Sequence, residues 1–71
     1  MKFRPNERLK LALFKKRVTQ RQLAFGANID ESRISKIIHG YEKPTSEMRE
    51  AIAEYLNEPE AEIFGEKQWL G

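Results

Sequence analysis

Cysteine is absent, so neither a disulfide framework nor a thiolate metal site can hold this chain together. Histidine occurs once, at position 39, which leaves nothing to pair with it in a metal site or a histidine-based relay; His39 reads as a surface loop residue. No apolar run approaches the roughly 20 residues of a membrane span. The opening "MKFRPNERLK" is polar throughout, unlike a signal peptide. The compartment expected by default is the cytoplasm. There is no strand candidate of any length, no internal repeat and no low-complexity segment. No metal or cofactor is called for. Seventy-one residues make one domain, and a chain this short buries only roughly 60% of its unfolded surface, so its core must be economical.

The net charge of +2 conceals a segregation. Residues 1–43 hold eleven Lys and Arg against four acidic residues, a balance of +7, whereas residues 44–71 hold two against seven Glu, a balance of −5. A basic end facing a polyanion and an acidic end facing elsewhere would account for this, and so would solubility charge that happens to segregate. Charge alone leaves both open.

Periodicity is helical nearly everywhere. A first helix is expected from an N-cap at Asn6 to about Lys16, burying Leu9, Ala12 and Leu13; the run Lys15-Lys16-Arg17 suits a helix C-terminus. Thr19 can cap a second helix over 20–27 with Leu23, Ala24 and Ala27 buried. Asn28 then adopts the left-handed conformation readily, and Ile29 anchors the turn. Asp30 can cap a third helix over 31–38, ended by Gly40. After "GYEKPTSE" a fourth helix over 46–56, capped by Thr45 or Ser46, carries Met48, Ile52, Ala53 and Leu56. "NEP" breaks it, and a short fifth helix over 60–64 offers Ile63 and Phe64 to the core. Residues 1–65 thus form the domain and 66–71 a tail. Glu58, Glu60 and Glu62 read as a solvated acidic face rather than a cation site.

On a wheel of about 100° per residue, Ile34, Ile37 and Ile38 share one side of the third helix. Ser32 and Lys36 point nearly opposite, Arg33 and Ser35 flank them, and Glu31 stands at the entrance. A face of short hydroxyls and long donors has the side-chain types that read base edges, on an element that fits the major groove. A plain solvated face has the same look.

The spacing adds what the face lacks. Leu23, Ala24, Ala27, Asn28, Ile29, Ile34 and Ile37 resemble the helix-turn-helix of the phage Cro/repressor (XRE) family, with Ala24 as the small residue at the helix crossing and Asn28 at the turn. Thr19-Gln20 is similar to the family's usual opening, "SKIIHGYEKPT" to the segment after its recognition helix, and "IAEYLNEPEAEIF" to its last two helices. The likeness spans roughly residues 7–65. It implies an all-α fold, a compact five-helix lambda-repressor-like domain with a central helix-turn-helix. Two departures stand out. Arg17 occupies a position where the family usually has glycine, which predicts a turn that is tighter, strained or differently built. Phe25-Gly26 replaces a charged pair; Gly26 should cost roughly 0.5–1 kcal/mol relative to Ala, and Phe25 falls off the buried face, as a partner contact or a satellite of the core.

The resemblance implies roles. Glu31, Ser32, Arg33 and Lys36 match base-reading positions, Lys36 suiting guanine or phosphate and Glu31 suiting cytosine N4. Thr19, Gln20 and Arg21 at the start of the second helix, with Ser35, His39, Tyr41 and Lys43, match backbone contacts. A homodimer on a palindromic operator in double-stranded DNA is implied, in a bacterial or phage cytoplasm, on the nucleoid when bound. Its interface is expected in the acidic half, with Ile63, Phe64 and Trp69 as apolar material; Trp69 reads equally as a clamp on the core. Two function classes follow: a sequence-specific transcriptional regulator, with repression as its mode, or a protein-interaction module such as an antitoxin that binds a partner protein and autoregulates its operon. No Cys, one His and no pocket-sized core set an enzyme aside.

Overall fold

Asn6 shows how locally this fold is specified. Its side-chain Oδ1 accepts the backbone N–H of Leu9 at 3.0 Å, capping the first helix, while its own N–H donates to the Ile38 carbonyl at 2.8 Å. The computed structural model describes residues 6–65. Five helices follow in order: α1 (Glu7–Lys16), α2 (Gln20–Ala27), α3 (Glu31–His39), α4 (Ser46–Leu56) and α5 (Glu60–Phe64). Among the described residues there is no strand, and no helix is long and apolar enough to cross a membrane. The helices start and stop where the sequence predicts, except that α3 continues one residue further, so His39 closes a helix instead of opening a loop.

Four helices end in a left-handed residue: Arg17 at φ 58°, Asn28 at φ 59°, Asn57 at φ 57° and Gly40 at φ 83°. Asn and Gly tolerate this conformation. Arg17 does not, and answers the question posed by its missing glycine: the turn keeps its form, with Val18 N–H donating to the Leu13 carbonyl at 2.9 Å, and carries about 1–2 kcal/mol of backbone strain instead.

α2 packs against α3 and α4, and α1 against α5. The shared core is Leu9, Leu13, Leu23, Ala24, the three isoleucines of α3, Met48, Ile52, Ala53, Leu56, Ile63 and Phe64, with Ala12, Val18, Ala27 and Ile29 packed at its margin. Ile63 and Phe64 are 0% and 1% exposed. This corrects the expectation that they supply a dimer interface: a five-residue helix has one apolar face, and here that face closes the domain's own core. Trp69, the tail 66–71 and residues 1–5 lie outside the described residues.

The acidic trio also resolves. Glu58 pairs with Lys16 at 3.2 Å and Glu60 with Arg49 at 3.4 Å, so two of its carboxylates bind the chain's own cations.

Candidate nucleic-acid interface

α3 is held from beneath and open above. Ile34, Ile37 and Ile38 are 0–3% exposed, while Glu31, Ser32, Arg33 and Lys36 face solvent. A helix anchored by three branched side chains presents its other face as a rigid surface.

α2 braces it. Thr19 Oγ1 accepts the Gln22 N–H at 3.0 Å, and Gln22 Oε1 accepts the Thr19 N–H at 2.9 Å, a reciprocal capping box. The Thr-x-x-Gln spacing that signals it stands in the sequence, where Thr19 alone reads as a cap. The Ile29 N–H donates to the Ala24 carbonyl at 2.9 Å, closing the tight connection from α2 towards α3.

The start of α3 corrects a second expectation. Asp30 occupies the N-cap position, but its side chain makes no capping bond. Its carboxylate instead accepts the hydroxyl of Ser32. A serine two residues downstream competes with the helix backbone for the same acceptor, as short polar side chains do near helix ends.

The outer face is a set of internal pairs with one exception. Glu31 lies 3.7 Å from Arg21 of α2, in an exposed ion pair. Arg33 donates from both Nε and Nη2 to one carboxylate oxygen of Glu42, at 2.8 and 2.6 Å. The hydrogen bond and charge of Glu42 raise the Arg33 pKa above its already high ordinary value, so the guanidinium stays charged. The ammonium group of Lys36 has no partner among the described residues. Sequence reasoning missed Glu42, because nothing in the residue order shows that the loop after α3 folds back beside Arg33.

The residues expected at a DNA backbone spread around this face. Thr19 is occupied by its cap, and Gln20 is half-buried at the first position of α2. Arg21 has an 85% exposed side chain. Ser35 is half-buried, and its carbonyl accepts the Nδ1–H of His39 at 2.8 Å, which assigns that ring's proton. His39 stacks with Tyr41, their ring centroids 6.5 Å apart. Lys43 is exposed and engaged within the chain. Phe25, on the outer side of α2, is 90% exposed, so it is no satellite of the core.

Ala24 is buried between α2 and its neighbours, and the small residue, left-handed Asn28 and isoleucine-anchored α3 together form two helices joined by a tight turn. The family model for the helix-turn-helix domain matches residues 6–68. The chain belongs to that family. Within it, this helix-turn-helix is of the Cro/repressor (XRE) type, that of a DNA-binding transcriptional regulator. Among solved structures, the restriction-modification controller protein C.AhdI from Aeromonas hydrophila matches with a TM-score of 0.79 at 24% identity, over 83% of this chain and 89% of that one. That likeness is one of fold. No curated protein matches the chain.

Proposed function

We propose that this helix-turn-helix protein is a sequence-specific repressor that docks α3 in the major groove of a palindromic operator as a homodimer, using residues 1–65 as its DNA-binding domain and 66–71 as a tail. The observation that carries the reading is the two-sidedness of α3: three isoleucines buried, and a face of hydroxyls and long donors outward, with the Lys36 ammonium unpartnered among the described residues. Segregated charge supports it, since a basic half lowers the free energy of a polyanion at its surface. In this reading Glu31, Ser32, Arg33 and Lys36 meet base edges, while Gln20, Arg21, Ser35, His39, Tyr41 and Lys43 meet sugar and phosphate. Pairing two copies supplies the specificity that one short helix lacks, with half-sites about 34 Å apart.

The test is a footprint of the purified protein on the DNA upstream of its own gene, repeated as salt is raised. A two-fold footprint is expected, with an affinity that falls by roughly 0.9 log units per tenfold salt for each phosphate contacted. A footprint without two-fold repeat overturns the dimer, and an affinity indifferent to salt overturns the phosphate contacts.

Phe25 supports a second reading. An aromatic ring 90% exposed on α2 fits a protein partner, as in an antitoxin that also binds its operator. Replacing Phe25 with Ser would leave operator affinity unchanged and abolish capture of a protein encoded beside it; loss of operator affinity would tie Phe25 to DNA instead.

A further inference from the structure

Arg33 has five N–H donors in a fixed plane. Glu42 takes two of them, from Nε and Nη2, on one edge of the guanidinium. The two N–H groups of Nη1 and the second of Nη2 remain, and together they form the far end of the fork. That end has the geometry to donate two parallel bonds to O6 and N7 of a guanine.

The support is itself fixed. The Tyr41 and Glu42 N–H groups both donate to the Lys36 carbonyl, at 2.8 and 3.3 Å, so the loop carrying Glu42 is closed onto the last turn of α3. Pro44, two residues on, is buried. The Glu42 side chain is 22% exposed and that of Arg33 51%, so the carboxylate is the seated partner and the guanidinium the reaching one. As a stabilising contact an exposed ion pair achieves little. As a guide it restricts a long side chain that would otherwise lose its rotamer freedom on binding.

We infer that Glu42 is a positioning residue for base recognition, holding one edge of Arg33 so that the other end is aimed at a guanine. This rests on the DNA-binding reading of α3. It also gives Glu42 a second effect. A carboxylate beside the groove repels phosphates, so Glu42 lowers affinity for arbitrary DNA while raising preference for the right base, which is how repulsion produces specificity.

The experiment is selection of binding sites from a randomised duplex library by wild-type protein and by R33A, E42Q and E42A, with circular dichroism melting of each. In the wild-type profile one guanine per half-site is expected to depend on Arg33, with about tenfold or greater preference over other bases. E42A should lose that preference nearly as fully as R33A. E42Q, which keeps a neutral acceptor, should lose part of it. Preferences at other positions should persist, and E42A should bind random DNA more tightly than wild type. If the wild-type protein selects no sequence, the DNA-reading assignment of α3 falls. If it selects a sequence but R33A alone changes the profile, or if E42A weakens every position alike with a lowered melting temperature, Glu42 is a structural latch and the inference is overturned.

Discussion

The two helices of the motif begin in opposite ways. α2 starts with a closed local circuit, Thr19 and Gln22 each bonding the other's backbone. α3 starts with a cap residue whose side chain has turned away, towards the hydroxyl of Ser32. What sits beneath them differs too. α2 buries a leucine and an alanine, whereas α3 buries three isoleucines. The contrast separates two routes to a stable helix: α2 is secured at its end by local hydrogen bonds, and α3 is secured along its length by packing, which leaves its polar start free to be arranged for recognition.

The largest effect should come from beneath α3. Ile37→Ala removes a fully buried side chain and should cost about 2–5 kcal/mol, against a total of about 4–10 kcal/mol at 0.05–0.15 kcal/mol per residue. Denaturant melting should show the midpoint lowered by a large fraction of its wild-type value; a loss below 1 kcal/mol would mean that packing does not secure α3. Next comes the outer face. Lys36→Ala should leave the melting curve in place and remove about 1–3 kcal/mol of discrimination between operator and random DNA, read by competition binding. An unaltered ratio would remove Lys36 from the readout. Thr19→Ala should cost about 1 kcal/mol through loss of its cap, while Asp30→Ala, which breaks no capping bond, should cost less than half as much. Equal losses would erase the distinction between the two helix starts.

The smallest effect concerns Gly26. A β-carbon there would lie 2.1 Å from Cε1 of Tyr55, so the ring of α4 occupies the space a side chain would take. Gly26→Ala should therefore fail to stabilise α2. In a Tyr55→Ala background the same change should stabilise it by about 0.5–1 kcal/mol, the ordinary preference of a helix for alanine. A gain of that size in both backgrounds would show that the ring swings aside freely.

Much of this molecule is legible in its sequence because its instructions are short-range. Asn6, Thr19, Thr45, Asn28 and Gly40 act on their own neighbours within four residues, so each helix boundary can be read from a few letters. The amphipathic split of α3 is equally local, and the exposure of Ser32 and Lys36 follows from three isoleucines at helical spacing. What escapes is tertiary. Gly26 reads as a weak point in a helix until Tyr55 is seen above it. Ile63 and Phe64 serve an interface or a core equally well on paper, and burial decides. Asp30 stands in the right place to cap, yet a competing hydroxyl two residues away redirects it. Glu42 lies nine positions from Arg33, at a distance set by loop shape rather than helical period.

The bond from Asn6 N–H to the Ile38 carbonyl joins points far apart in the chain, the entry to α1 and the end of α3. It can form only when those two helices are docked, and it breaks when they part. The amide proton of Asn6 is therefore a clock for one event. Its exchange with solvent deuterium measures how often the junction between the start of α1 and the end of α3 opens. In a protein this small, that single rate distinguishes a recognition helix that is permanently presented from one that is presented only between openings.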